Sequence, residues 1–304
     1  MRIGRTAAVS DTGRRRVHNE DSYVCKPPLF AIADGIGGAQ AGEIASRLAA
    51  GTLGERRPGT HGVQLLAALV AEANDRIFRR ALGDPAVAGM GTTVTALLVD
   101  EHAGTIAVSH VGDSRAYRFR SGELVQLTDD HSLVGELVRS GRLTPEAAEQ
   151  HPHRSVITRA VGTESTVEVD VSTLEPVAGD LYILCSDGLT DMLPDSQIAS
   201  AVAAAQGDPQ AMASALVAAA NHAGGVDNIT VIVFEIEEGE APPRSAEPDE
   251  PTAEAVGPVP EIQDSAPAPV RRHGAGAGGR TLALAAIVLA LAAAALLIWW
   301  GLGK

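Results

Sequence analysis

Apolar and polar positions divide the chain into two kinds of segment. Short apolar runs ending in glycine or aspartate predict strands. Two long stretches with apolar residues three and four apart predict helices. Strands are expected at Ile3 to Ser10, Ser22 to Cys25 and Phe30 to Ala33. Helices follow at Ala39 to Glu55, with Ala41, Ile44, Ala45, Leu48 and Ala49 on one face, and at Val63 to Ala81, with Leu65, Leu66, Leu69, Val70, Ala73, Ile77 and Phe78 on one face. Strands resume at Thr92 to Val99, Thr105 to His110, Ala116 to Arg120 and Glu123 to Gln126. The pattern is then irregular and polar up to Val167, with short helices at Leu133 to Ser140 and Thr144 to Glu149; this insertion reads as a flap. Strands at Val167 to Thr173 and Asp180 to Cys185, helices at Ser196 to Ala205 and Gln210 to Ala223, and a strand at Ile229 to Ile236 complete the series. Blocks of strands and paired helices without βαβ alternation give an α+β class, with antiparallel sheets covered by helices.

The pattern changes after Glu237. Residues 238–270 hold eight of the seventeen prolines, many acids and few apolar residues, the composition of a disordered linker. Leu282 to Trp300 is an uncharged run of Ala, Leu, Ile and Val ending in Trp299 and Trp300. At about 1.5 Å per residue such a helix spans roughly 28 Å, the thickness of a hydrocarbon core. The expected organisation is a domain over 1–237, a linker over 238–280 and a transmembrane helix over 281–301. Arg271, Arg272 and Arg280 precede the span and Lys304 follows it, which places the domain on the cytoplasmic side of the cell membrane in a single-pass arrangement. The N-terminus carries Arg2, Arg5 and Arg14 to Arg16 and no apolar segment like a signal peptide.

Composition narrows the picture. With 45% hydrophobic but only 3% aromatic residues among 304, a large core must be built from Ala, Val, Leu and Ile. A net charge of -14 argues against a nucleic-acid partner. Cys25 and Cys185, each in or beside an apolar run, read as reduced thiols.

The chemistry lies where apolar runs meet aspartate. Phe30 to Asp34 ends in Asp34-Gly35; Leu181 to Cys185 leads to Asp187-Gly188; Ile106 to Val111 leads to Gly112-Asp113; and Asp227 stands just before the last strand. Four aspartates at strand ends, flanked by glycine or small residues, can converge on one rim. Gly35 permits close backbone approach, and its carbonyl is a further oxygen donor. Oxygen ligands without a Cys/His cluster suit Mg²⁺ or Mn²⁺ and not zinc.

Arg16-Val17-His18-Asn19-Glu20-Asp21, Ala33-Asp34-Gly35-Ile36-Gly37-Gly38, Gly91-Thr92-Thr93, Val111-Gly112-Asp113-Ser114-Arg115, Ser186-Asp187-Gly188-Leu189-Thr190-Asp191 and Asp227-Asn228-Ile229-Thr230 follow in order. This series resembles that of the metal-dependent Ser/Thr protein phosphatases, the type 2C or PPM family, in its bacterial form. The resemblance covers roughly residues 1–237. It implies a four-layer α-β-β-α sandwich and hydrolysis of phosphoserine and phosphothreonine on proteins by a metal-activated water. It implies that Asp34 bridges two Mn²⁺ or Mg²⁺ ions, that the Gly35 carbonyl, Asp187 and Asp227 complete their protein ligands, and that Glu20 acts through waters. Asp113 and Asp191 match positions of a third, weaker ion. Arg16 matches the arginine that pairs with substrate phosphate, so Arg16 and Asp34 are the catalytic candidates. Partners implied by the family are phosphorylated Ser/Thr proteins, including receptor-type Ser/Thr kinases at the membrane. Where animal members have a histidine after Asp-Gly, this chain has Ile36, and leaving-group protonation has no assigned residue; His131, His151 and His153 lie in or near the flap. Two other readings are a catalytically inactive, membrane-tethered phosphoprotein-binding module and a calcium-stabilised structural domain.

Overall fold

The computed structural model describes residues 1–37, 41–55, 61–144, 147–148, 151–205 and 207–239. One compact unit comprises Met1–Ser245; a second, Ala246–Lys304, and with it the expected linker and membrane span, lies outside the described residues. Among the described residues no helix is long and apolar enough to cross a membrane.

Among the described residues eleven strands form two sheets, and every pairing between them is antiparallel. The first holds β1 (Arg2–Asp11), β11 (Ile229–Glu237), β10 (Leu181–Cys185), β7 (Arg115–Arg120) and β8 (Glu123–Gln126), in that order. The second holds β2 (Asp21–Lys26), β3 (Leu29–Ile36), β5 (Val94–Asp100), β6 (Thr105–Val111) and β9 (Asp170–Leu174), with the two-residue β4 (Gly91–Thr92) pairing the end of β3.

Three apolar clusters show the layering. Phe30, Ile32, Leu97, Val108, Tyr182, Leu184, Ile232 and Phe234 fill the space between the sheets. Phe30 stacks on Phe234 with ring centroids 4.0 Å apart. Alternate residues of the same strands face outward, as the period of two requires. Ala31, Ala33 and Ala96 pack under α1 (Ala41–Leu53) and α2 (Gly62–Gly83). Ile183, Cys185, Val231 and Val233 pack under α5 (Asp195–Ala204) and α6 (Pro209–Ala223). This is the expected α-β-β-α sandwich. Alanine on the outer face of β3 and along α1 lets the helix approach the sheet closely, so this outer cluster packs without an aromatic side chain while Phe30, Tyr182 and Phe234 fill the space between the sheets.

Several boundaries differ from the sequence reading. The strand expected from Val167 begins at Asp170, because Val167 and Val169 pack against the α1/α2 cluster and the ladder to β6 starts only at the His110–Asp170 pair. The strand expected at Thr92 is split into β4 and β5. Asp187 opens a one-turn helix, α4 (Asp187–Thr190), in a stretch to which the sequence reading assigned no element. Flap helix α3 (Leu133–Arg139) forms as expected, whereas half of the second flap helix, positions 145, 146 and 149, lies outside the described residues. Both cysteines are free, Cys185 buried and Cys25 only half-buried.

Candidate active site

The strand ends do converge. Asp34 sits near the end of β3, directly opposite Asp21 on β2. Its backbone is clamped: the Thr93 N–H and the Thr92 hydroxyl both donate to the Asp34 carbonyl at 2.8 Å, and the Asp34 N–H donates to Thr93 Oγ1 at 3.0 Å. The Gly91-Thr92-Thr93 motif thus fixes where the Asp34 carboxylate stands. Gly35 follows at a point of close approach, where a Cβ would lie 2.3 Å from the Gly42 carbonyl oxygen of α1 and 2.7 Å from that of Glu20. No side chain fits there. Glu20 itself lies over α1, its Oε2 2.6 Å from where a Gly42 Cβ would stand.

The opposite wall comes from the other sheet. A Cβ on Gly188 would fall 2.0 Å from the Asn228 carbonyl oxygen, so α4 is pressed against the Asp227-Asn228 turn. Asp187 and Asp191 lie on one face of this turn, and the Asp191 N–H donates to the Asp187 carbonyl at 2.7 Å. Asn228 ties the arginine loop to the same turn: its Oδ1 accepts from the Glu20 N–H at 2.8 Å and its Nδ2 donates to the Thr12 and His18 carbonyls at 3.0 Å each. Arg16 Nη2 donates to Asp227 Oδ2 at 2.7 Å, while Asp227 Oδ1 accepts from the Asn228 N–H. Half of the Arg16 side chain remains exposed.

Burying carboxylates together makes ionisation costly. Burial, then the charges of Asp21, Asp187, Asp113 and Asp227, hold the Asp34 carboxyl well above the usual carboxylate range. Burial, then Asp113, Asp227, Asp191 and Asp21, do the same for Asp187. Burial pushes Asp21 up to about 6 and, helped by Asp130 and Asp191, Asp113 up to about 7. Glu20 and Asp191 are raised, again chiefly by burial. The guanidinium of Arg16 is shifted further up by its bond to Asp227. Asp21 Oδ2 accepts from the Ser186 and Thr230 hydroxyls at 2.8 and 2.6 Å, whereas Asp21 Oδ1 and Asp113 Oδ1 are buried with no hydrogen-bond partner among the described residues.

A set of acidic oxygens, two of them orphaned, without soft donors among them fits hard divalent cations. Among the described residues no three His, Cys, Asp or Glu side chains form a closed cage for one ion. Beside the cluster, a cavity of about 670 Å³ runs from Asp113, Asp187 and Asp191 to Gly135, Val138 and Arg154 of the flap. It is wide enough for a peptide side chain. His151 and His153 pack on each other, with ring centroids 5.7 Å apart.

The structure therefore brings together Arg16, Glu20, Asp34, Gly35, Asp113, Asp187, Asp191 and Asp227. Sequence reasoning missed three supports: Asp21, which shares the floor with Asp34; Thr93, which clamps Asp34; and Asn228, which ties Glu20 to Asp227. Each stands inside a quoted motif, but its part follows from cross-strand pairing.

Comparison with known proteins agrees with this geometry. Residues 14–218 match the family described as protein phosphatase 2C. The chain is 43% identical over 238 residues to the serine/threonine protein phosphatase PstP of Mycobacterium tuberculosis, covering 76% of this chain and 45% of that protein, so it spans about half the length of that relative. It is 35% identical to the serine/threonine phosphatase stp of Listeria innocua, over 74% of this chain and 93% of the relative. The solved catalytic domain of PstP in complex with two manganese ions superposes with a TM-score of 0.70 at 39% identity, covering 78% of this chain and 99% of that one. On its motifs, its two-sheet fold and these matches, the chain belongs to the protein phosphatase 2C family.

Proposed function

We propose that this protein hydrolyses phosphoserine and phosphothreonine on proteins in a reaction that depends on Mn²⁺ or Mg²⁺. The observation that carries the reading is the floor of the cleft, where Asp34 and Asp187 are buried among like charges that bound divalent cations would neutralise at neutral pH. Asp34 would bridge two ions, with the Gly35 carbonyl, Asp187 and Asp227 as further ligands and Glu20 acting through water. Asp113 and Asp191 would hold a weaker third. Such ions, when bound, lower the pKa of water and neutralise phosphoryl oxygens.

The chain's own residues position and select. Arg16 is anchored to Asp227 through one nitrogen, which leaves its remaining donors for a phosphate dianion. Asn228 and the Asp34 clamp hold the acidic side chains in place before substrate arrives, which lowers the cost of ordering them. Ile36 occupies the position after Asp34-Gly35, so no side chain at that position can protonate the leaving serine or threonine oxygen.

Release of phosphate from a phosphothreonine peptide by the purified full-length chain tests this, with and without Mn²⁺ after chelator treatment. Turnover that survives metal removal, or none with metal restored, overturns it. The second outcome, with phosphopeptide binding retained, is the result that the inactive binding module requires.

The tail supports a finer reading from sequence alone. The run Leu282 to Trp300 would hold the domain at the cytoplasmic face of the cell membrane, where membrane Ser/Thr kinases and their phosphorylated targets are the substrates.

A further inference from the structure

His131 is 3% exposed and sits outside the carboxylate cluster, yet both of its backbone-facing groups grip the loop that delivers Asp113. The Gly112 N–H donates to His131 Nδ1 at 3.0 Å, and the His131 N–H donates back to the Gly112 carbonyl at 2.7 Å. An Nδ1 that accepts from an amide carries no proton, so the ring's hydrogen is on Nε2, facing Asp170 Oδ2 at 3.1 Å. Arg159 Nη1 reaches the other oxygen of Asp170 at 2.6 Å.

The loop held in this way is gripped from two sides. Gly112 has φ +113°, and a Cβ there would meet Thr93 Cγ2 at 2.5 Å, so its backbone is set by what surrounds it. Below, Thr93 Oγ1 lies 2.8 Å from Ser114 Oγ and the Thr95 hydroxyl donates to the Ser114 carbonyl at 2.9 Å. Above, the reciprocal pair with His131 is the grip on Gly112 among the described residues. His131 is also the neck of the flap. Its carbonyl accepts from the Thr158 N–H at 2.8 Å, and the Leu133 N–H donates to the Val156 carbonyl at 2.8 Å. One residue thus joins the base of the flap to the loop carrying a buried carboxylate with an orphaned oxygen.

We propose that His131 is a positioning residue: by accepting from the Gly112 amide it sets the Asp113 carboxylate for the cation on the flap side of the cleft. This rests on the metal-dependent reading above. The purely structural alternative is that His131 only fills space against His110, whose ring lies 4.8 Å away, and the two readings differ in which variants are tolerated. An asparagine can place its amide oxygen near the Nδ1 position and accept from Gly112. A glutamine reaches toward Asp170 and leaves the Gly112 amide unpaired.

Mn²⁺ titration of the full-length chain, followed by electron paramagnetic resonance, reads binding without reference to turnover. His131→Gln should weaken the lowest-affinity class of bound Mn²⁺ by about 10-fold or more, the usual cost of losing an outer support of a ligand. His131→Asn should restore most of that affinity, and Asp170→Asn should not imitate His131→Gln. Parental Mn²⁺ binding in His131→Gln, or equal weakening in both histidine variants, overturns the proposal. If His131→Gln does not fold, nitrogen NMR of the parent decides: a protonated Nδ1, or a Gly112 amide that does not shift as Mg²⁺ saturates the protein, overturns it. A parent chain that binds no Mn²⁺ at all overturns the functional reading itself, and this inference with it.

Discussion

Asp21 and Asp34 face each other across neighbouring antiparallel strands, two carboxylates in direct register at the floor of one cleft. Like charges directly opposite on a sheet destabilise it, and here both are also desolvated. The pairing is tolerated in two ways. Ser186 and Thr230 donate to one oxygen of Asp21, and cations can neutralise the rest.

Metal should therefore stabilise the domain more at higher pH. The raised carboxyls, Asp21 at about 6 and Asp113 at about 7, bind protons in the folded state that the unfolded chain has lost. Their contribution is fully present below the ordinary carboxylate value and is lost as pH rises through about 6 to 7. His110, pushed down to about 4 by burial, acts the other way: the unfolded chain takes up the proton first, so its contribution is lost as pH falls below about 6.5. Above that pH it is neutral in both states and leaves the carboxylate trend exposed. The gain in Tm on adding Mn²⁺ to chelator-treated protein should be larger at about pH 8 than at about pH 5.5. Equal gains would mean the carboxylates are not the seat of binding.

Asp34→Asn should abolish turnover while leaving the fold intact. Removing a bridging charge costs several kcal/mol of transition-state stabilisation, about 10³-fold or more in kcat. The metal-free variant should melt higher than the metal-free parent, because one of two opposed carboxylates is gone. Near-parental turnover at saturating Mn²⁺ contradicts the assignment of Asp34.

Arg16→Ala should raise KM for p-nitrophenyl phosphate, with a smaller effect on kcat and little on Mn²⁺ affinity. The same change at Arg14 should be nearly silent with this small ester, since the hydrogen bond it makes among the described residues is through its backbone, donating to the Gly225 carbonyl at 2.6 Å. Equal effects at both positions would show that the Asp227 contact does not single out Arg16.

Gly35→Ala should damage the fold as well as the site, because the added methyl meets carbonyl oxygens of both Gly42 and Glu20 and no flexible side chain can give way. A loss of about 1–3 kcal/mol or more in denaturant unfolding is the overpacking range. Gly51→Ala, with open space around its Cβ, is the control and should be neutral or stabilising.

What was legible in the sequence follows from the range of the interactions. Asp34, Asp187 and Asp227 were visible because each stands where an apolar run meets a glycine or a turn, a signal written in adjacent residues. The layering of the sheets was not visible in the pattern. It depends on Phe30 meeting Phe234 and on β11 lying between β1 and β10, partners far apart in the chain. Asp21 and Thr93 escaped for the same reason, since register across strands makes them part of the floor. His131 escaped because a flap histidine looks structural until its Nδ1 is seen to face the Gly112 amide.

A chain ending at residue 239 should keep metal-dependent activity on small esters. β11 closes its sheet edge against β1 along the register Arg2–Glu237 to Asp11–Ile229, and the Arg2–Glu237 ion pair at 2.6 Å caps the end of that ladder. Every candidate site residue lies before it, Asp227 being the last. The segment removed holds the proline-rich stretch and the apolar run Leu282 to Trp300. If that run is a membrane anchor, the full chain should sediment with membranes and the shortened chain should remain in the soluble fraction. A linker of about 40 residues has an r.m.s. reach of roughly 35 Å, so it would confine the domain near the bilayer without fixing its orientation. Dephosphorylation of a membrane-bound phosphoprotein should then slow on truncation through loss of effective concentration, while kcat on p-nitrophenyl phosphate stays at the parental value. A full chain found in the soluble fraction refutes the anchor. A truncated chain that unfolds shows instead that the apolar run packs as part of the core.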